Sequence, residues 1–283
     1  MAYRLPIGYQ SKIMRYEIKP DTDFNFNLKE LWTNKELLFM LAFRDFKVRY
    51  SQTFLGLLWA IIQPLTTLFI FILVFSLAIK VDVGTIPYPV YALTGMIAWN
   101  YFSFVMSQAG SSIINSQSII NKIYFPRLVI PISKAIFGII DFLISLLLMV
   151  VLILYYHVQI STNIIFFPLF LLLLFIFSLS IGVLLSALSI RYRDIQNTIP
   201  FLAQIGLYLT PVAYSSSIIP AKYHLLFFLN PMAGIVEGIR WSILGTQPLS
   251  EGILLYTITI VILAFIVSIL YFKKVENVIA DIV

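Results

Sequence analysis

The chain has 283 residues, 60% of them apolar and 11% charged, with 19 Lys and Arg against 13 Asp and Glu. A soluble domain carries roughly 45–50% apolar and about 25% charged residues, so this composition excludes a water-soluble globule and leaves room for one membrane domain with a short aqueous appendage. The absence of cysteine excludes disulfides, thiolate metal sites and a cysteine nucleophile, and two histidines, His157 and His224, cannot build a multi-histidine metal centre.

The net charge of +6 sits mostly in the first 55 residues, which hold nine of the basic side chains. Such an arm faces anionic lipid headgroups, and no nucleic acid is needed to explain it. Residues 1–27 carry charges throughout and no apolar core, which predicts that the first span is also the insertion signal. Asn27 and Glu30 have capping-box spacing, and beyond them Leu28, Trp32, Phe39, Phe43, Phe46 and Tyr50 fall on one helical stripe. An N-terminal amphipathic interfacial helix is expected here, acting as a lipid anchor or as a lever beside a pore mouth.

Apolar stretches long enough to cross a bilayer follow at 56–79, 128–156, 164–189 and 253–272. Residues 89–108 and 199–215 are more polar, with Asn100, Gln108 and Gln204, as in spans that face other helices or a water-filled path. Residues 225–244 contain Asn230-Pro231, Glu237 and Arg240. A charge at a helix centre costs roughly 2.5–3.5 kcal/mol on insertion, and the Asn-Pro break frees backbone groups that lipid cannot satisfy. This segment therefore reads as a re-entrant outer helical hairpin between the fifth and sixth spans, with Glu237 and Arg240 close enough to pair and Gly234 and Gly238 spaced for close packing.

Charge distribution supports six spans. With the N-terminus inside, the inner segments 1–55, 109–127, 190–198 and 273–283 hold 9, 2, 2 and 2 basic residues, while the outer segments 80–88, 157–163 and 216–252 hold 1, 0 and 2. The expected fold is all-α integral membrane: a cytosolic arm over 1–55, a transmembrane domain over 56–272 and a cytosolic tail over 273–283. Asp141 is the one carboxylate deep in a span, with Lys134 two turns earlier on about the same face; it is either a functional group or an ion-paired strut.

The inner segments 111–122 and 190–197 are either plain connecting loops or short polar helices that dock a cytosolic partner. Aromatics near the span ends serve as interface anchors, but Trp59, Trp99, Tyr101, Phe102, Tyr208 and Tyr214 are candidates to line an internal path, since flat apolar faces suit sugar rings. No G-x-x-x-x-G-K-[S/T] or H-E-x-x-H sequence occurs, so the chain has no P-loop and no zincin site.

Together these motifs resemble a known family. The run Leu41 to Pro64 (LAFRDFKVRYSQTFLGLLWAIIQP) is similar to the entry segment of ABC-2 type permeases that export polysaccharides. Lys122 to Leu128 (KIYFPRL), Ser186 to Asp194 (SALSIRYRD), Asn230 to Gly234 (NPMAG) and Glu237 to Trp241 (EGIRW) match it in order, so the resemblance covers nearly everything from Leu28 onward. It implies a half-transporter without its own enzyme activity: a homodimer forms the pore, and two copies of a separate ATPase subunit bind ATP and Mg. Ile113, Asn115, Ser116 and Ile119, with Arg191, Tyr192, Arg193 and Asp194, would couple to that ATPase. Asn230, Pro231, Glu237 and Arg240 would form an outer gate. The implied substrate is a lipid-linked glycan of the O-antigen, capsule or teichoic-acid kind, the implied location the cytoplasmic (inner) membrane of a bacterium with both termini cytosolic. The alternatives are an ABC-2 exporter of a small hydrophobic compound, which shares the spans, and an intramembrane enzyme on lipid-linked sugars, which would need clustered carboxylates or a metal.

Overall fold

The computed structural model describes residues 32–51, 53–120, 122 and 125–282. The expected capping box at Asn27 and Glu30, and the arm before it, lie outside the described residues. Among the described residues every regular element is helical. We number the α-helices α1 (Lys35–Tyr50), α2 (Trp59–Phe71), α3 (Tyr88–Gly110), α4 (Ser112–Asn115), α5 (Gln117–Ile120), α6 (Val129–Tyr155), α7 (Phe167–Arg191), α8 (Asp194–Leu209), α9 (His224–Phe228), α10 (Pro231–Leu244) and α11 (Glu251–Ile282). A 3-10 turn at Gly56–Leu58 leads into α2, and a π-helical stretch, Ile72–Ala78, continues it.

Among the described residues, four helical segments are long and apolar enough to cross a membrane: Gly56–Ala78, Val129–Tyr155, Thr162–Arg191 and Glu251–Glu276. They coincide with the four most apolar stretches of the sequence. Several of their hydroxyls turn back onto their own helix, as Thr66 does to the Ile62 carbonyl (2.7 Å), Ser178 to Leu174 (2.7 Å) and Thr257 to Ile253 (2.8 Å). In an apolar surround this local bond is the cheapest way to satisfy a hydroxyl.

The more polar α3 is the hub. It is buried along most of its length and packs against α6, α7, α8 and α10. A helix enclosed by protein needs no lipid-compatible surface, which explains its lower hydropathy. Close approach comes from small residues: a Cβ on Gly182 of α7 would stand 2.8 Å from the Ala109 Cβ, and one on Gly138 of α6 2.7 Å from the Phe104 ring. The unburied part of α3 includes Asn100, Ser103, Phe104 and Ser107, one stripe at helical spacing.

Two sequence expectations need correction. The segment 190–197 is not a loop or a separate short helix: α7 runs to Arg191 and α8 starts at Asp194, so only Tyr192 and Arg193 join them. In consequence the helix expected over 199–215 lies earlier, ends at Leu209, and gives way to an unwound segment from Thr210. Pro211 explains the stop, since the residue before a proline is pushed out of helical conformation, and Thr210 is extended here (φ −108°, ψ 139°). The helix interruption at Asn230-Pro231 is as the sequence reads: α9 ends, Asn230 caps α10 by accepting from the Met232 N–H (3.0 Å), and Pro231 takes its first turn.

The N-terminal helix also differs in detail. Trp32, Phe39 and Phe43 of the expected stripe are exposed, whereas Leu38, Leu41, Ala42 and Tyr50 are buried against the bundle. Both sides of α1 are therefore apolar, one for protein and one free. Leu38 and Leu41 join an apolar cluster with Ile113, Val129, Ile190 and Phe272, which ties the helix to one end of the bundle. α11 continues through residue 272 to Ile282 without a break.

Candidate functional site

At the end of the bundle formed by Tyr88, α9, α10 and the start of α11, the unwound segment 210–216 presents carbonyls that a helix would have satisfied. Such orphan groups away from water are costly. Arg240 answers them. Its side chain is fully buried, and its guanidinium donates to the carbonyls of Pro211 and Val212 and, at 3.4 Å, to that of Tyr214. The Tyr88 hydroxyl donates to the Ala213 carbonyl (2.9 Å), and the Tyr91 hydroxyl reaches that of Tyr214 (3.4 Å). Asn230 donates to the Thr210 hydroxyl (2.9 Å). Five donors in a rigid fork let one arginine serve several acceptors, and its flat face lies 3.8 Å from the centroid of the Tyr91 ring.

The pairing of Glu237 with Arg240 is present at 3.5 Å, and the same carboxylate accepts from the Ser216 N–H at 3.2 Å. The arginine nevertheless serves mainly as a clamp on backbone carbonyls. Sequence reasoning missed Tyr88, Tyr91 and Gly95. A Cβ at Gly95 would stand 2.5 Å from Arg240 Nη2 and 2.8 Å from the Val212 carbonyl oxygen, so the glycine makes the clamp's room. The signal was available: a buried arginine needs acceptors, and residues 210–214, with a proline inside, supply them. Pro231 starts α10, and a Cβ on Gly238 would meet Phe170 at 2.0 Å, which seats that helix tightly on α7.

At the opposite end lie α4, α5 and the α7–α8 joint. Ile113 of α4 is buried in the same cluster as Val183, Ala187 and Ile190 of α7. Ser116, at the break between α4 and α5, is buried; Asn115 is exposed, as are Gln117 and Ser118, and Ile119 is half-buried. Arg191, Tyr192, Arg193 and Asp194 are all exposed at the α7–α8 joint. The apolar side of α4 thus anchors the segment while its polar side is free.

Near this end, α1 is fastened to α6 by two ion pairs of opposite sense. Lys134 binds Asp45 at 2.6 Å and Asp141 binds Arg49 at 2.9 Å, and Asp141 also accepts from the Tyr50 hydroxyl. Lys134 and Asp141 share a face, but each faces α1 rather than the other. Burial, then the hydrogen bond to the carboxylate, holds the Tyr50 phenol protonated well above its ordinary range. Beside this latch lies a cavity of about 380 Å³ between α2, α3, α6 and α8.

The six aromatics singled out as candidates for an internal path do not share one surface. Tyr101 lines the cavity, with its hydroxyl bonded to the Ala135 carbonyl (3.2 Å). Trp99 and Phe102 are core residues: Phe102 stacks on Phe177 with centroids 5.5 Å apart, and the Trp99 ring fills the space over Gly206. Trp59 and Tyr208 are exposed, and Tyr214 bonds back to the Tyr208 carbonyl (2.9 Å). Trp99→Ala is therefore expected to act through packing, at a cost of about 3–5 kcal/mol, and to lower the melting temperature in detergent. Tyr208→Ala should leave melting unchanged, so that a fall in transport per molecule places that ring on the path and no fall removes it.

Residues 36–244 match the model of the ABC-2 type transporter family. The chain is 30% identical over 206 residues to the O-antigen export system permease protein RfbA of Klebsiella pneumoniae, covering 72% of this chain and 79% of that one. It is 28% identical over 215 residues to RfbA of Myxococcus xanthus (75% and 82% covered). Over 221 residues it is 26% identical to the polysialic acid transport protein KpsM of Escherichia coli (75% and 83% covered). The matched span contains the arginine clamp, the latch on α6, the short helices α4 and α5 and the α7–α8 joint, and the chain belongs to the ABC-2 type transporter family.

Proposed function

We propose that this chain is the membrane-spanning subunit of an ATP-driven exporter that moves a lipid-linked polysaccharide, O-antigen-like or of the capsule or teichoic-acid kind, out across the bacterial cytoplasmic membrane. The observation that carries this reading is the similarity, over about three quarters of the chain, to permeases named for O-antigen export and polysialic acid transport. In this reading α3 and α8 complete six spans. A helix of 23 residues such as α3 reaches about 35 Å, while the 16 residues of α8 reach about 24 Å, so the clamped segment after it finishes the crossing. α9 and α10 form the hairpin that dips part-way from outside, and Asn230, Pro231, Glu237 and Arg240 hold its hinge.

Two copies enclose the conduit, since six spans surround little volume, and each binds one copy of a separate ATPase that carries ATP and Mg. The sequence contains no P-loop of its own. The exposed residues Asn115, Gln117 and Ser118 and the joint Arg191 to Asp194 face that ATPase. A polar chain needs such a conduit, because each unpaired polar group costs several kcal/mol in hydrocarbon.

A mild-detergent pull-down from native membranes tests the reading. A stoichiometric P-loop ATPase is expected, together with loss of surface glycan when the chain is deleted. An intact surface glycan after deletion would sink it. Replacing Asn115, Gln117 and Ser118 together by aspartate should cut ATPase recovery at least about tenfold, the equivalent of roughly 1.4 kcal/mol. Membrane level should hold, since Ile113 keeps its buried seat. Undiminished recovery would remove this surface from the docking interface.

A further inference from the structure

The cavity beside the latch has a composition that selects its occupant. Its polar lining includes the amides of Gln63 and Asn100, the hydroxyls of Ser107 and Ser145, and the Arg49–Asp141 pair. Among the described residues, the side chains of those four neutral groups make no hydrogen bond to protein, although Thr66 of α2, Thr94 of α3 and Ser133 of α6 bond back to their own backbone. Uncommitted donors and acceptors gathered on one cavity inside a membrane bundle mark a wet or ligand-filled site.

The charge on the wall cancels. Arg49 is matched by Asp141 at 2.9 Å, so among the described residues no cation in the lining is left over for a phosphate. An acyl chain would strand the amides and hydroxyls without partners. What fits is neutral and hydroxyl-rich, with an apolar face for the rings of Tyr101, Phe104 and Phe142 on the same wall. A volume of about 380 Å³ lies within the usual range of small-molecule sites, roughly 300–1,000 Å³.

We infer that this cavity is a sugar subsite within the single chain, binding one or two neutral glycan units through Gln63, Asn100, Ser107 and Ser145, with the phosphate and lipid parts of the substrate held elsewhere. The inference rests on the polysaccharide-export reading above and gives the substrate a place that most of the aromatic residues singled out from sequence do not.

The natural lack of cysteine makes the test direct. Full-length protein carrying Ser145→Cys, in lipid nanodiscs, is labelled with a charged methanethiosulfonate; Leu147→Cys, on the exposed side of α6, is the lipid-facing control. The cavity position is expected to react and the control to resist. A panel of neutral methyl glycosides and disaccharides should contain a member that slows labelling by 1 + [L]/Kd, about threefold at twice its Kd. Adding Asn100→Leu should abolish that protection while labelling persists. Failure of the cavity position to label, protection by inorganic pyrophosphate in place of sugars, or protection by no neutral sugar each overturns the proposal. The two readings separate cleanly: loss of surface glycan on deletion with unprotected labelling sinks only the subsite, whereas unchanged surface glycan on deletion sinks the export reading.

Discussion

Arg240→Ala is expected to be the most damaging single substitution in the chain. It strips donors from the carbonyls of Pro211, Val212 and Tyr214 and leaves Glu237 as a buried carboxylate without its cation. Removing one partner of a buried charged contact costs about 3–5 kcal/mol. The expected readings are a large fall in melting temperature in detergent, new proteolytic cleavage within residues 210–216, and loss of export. Arg240→Lys should not rescue, because an ammonium on a flexible stem cannot span two carbonyls and lie flat on Tyr91. Glu237→Gln should be milder, since an amide oxygen still accepts from the Ser216 N–H. Lys222→Ala, at an exposed lysine in the same outer region, is the neutral comparison. Wild-type melting and transport in Arg240→Ala would refute the clamp.

The second large effect is expected at the latch between α1 and α6. Lys134→Asp sets a carboxylate against Asp45, and like charges in contact cost several kcal/mol. Hydrogen exchange over residues 35–50 should accelerate by at least about tenfold, which corresponds to roughly 1.4 kcal/mol of lost protection. Asp45→Lys in the same chain restores an attractive pair and should recover most of the protection. An equally fast exchange in the double variant would mean that geometry at this contact, rather than charge, seats the helix. Arg49→Asp with Asp141→Arg repeats the logic at the other pair, with Tyr50 losing its acceptor as an added cost.

How much of this was legible in the sequence follows from which residues carry local signals. Hydropathy alone located Gly56–Ala78, Val129–Tyr155, Thr162–Arg191 and Glu251–Glu276, because lipid-facing helices must be apolar along their whole length. Asn230-Pro231 announced its own helix start, since capping and the proline at the first turn are local chemistry. The extent of α8 was misread because Asp194 and Gln196 look like loop residues when averaged with Arg191 and Arg193, although an acid in the first turn suits a helix start. The latch was half-read: Lys134 and Asp141 share a face, but their partners lie 89 and 92 residues earlier on α1, beyond the reach of any spacing rule. The Trp99 and Phe102 rings illustrate the remaining limit. Composition marks them as aromatic, while only the packing of α3 against α7 and α8 decides that they face the core.

The clamp also fixes an order of events during synthesis. Arg240 lies 29 residues after Pro211, whose carbonyl it binds. At a translation rate of about 5–20 residues per second, residues 210–214 leave the ribosome roughly 1.5–6 seconds before the side chain that will satisfy them. On the six-span proposal, the fifth segment (α8 and the residues after it) carries bare carbonyls for that interval and a helix too short for the bilayer, so it gains nothing by partitioning alone into lipid. It should stay with the insertion machinery until α10 arrives and then enter together with it, as one cooperative unit. On that proposal, an early stop codon between 216 and 240 should leave the fifth segment outside the membrane, open to degradation, while the segments before it remain inserted.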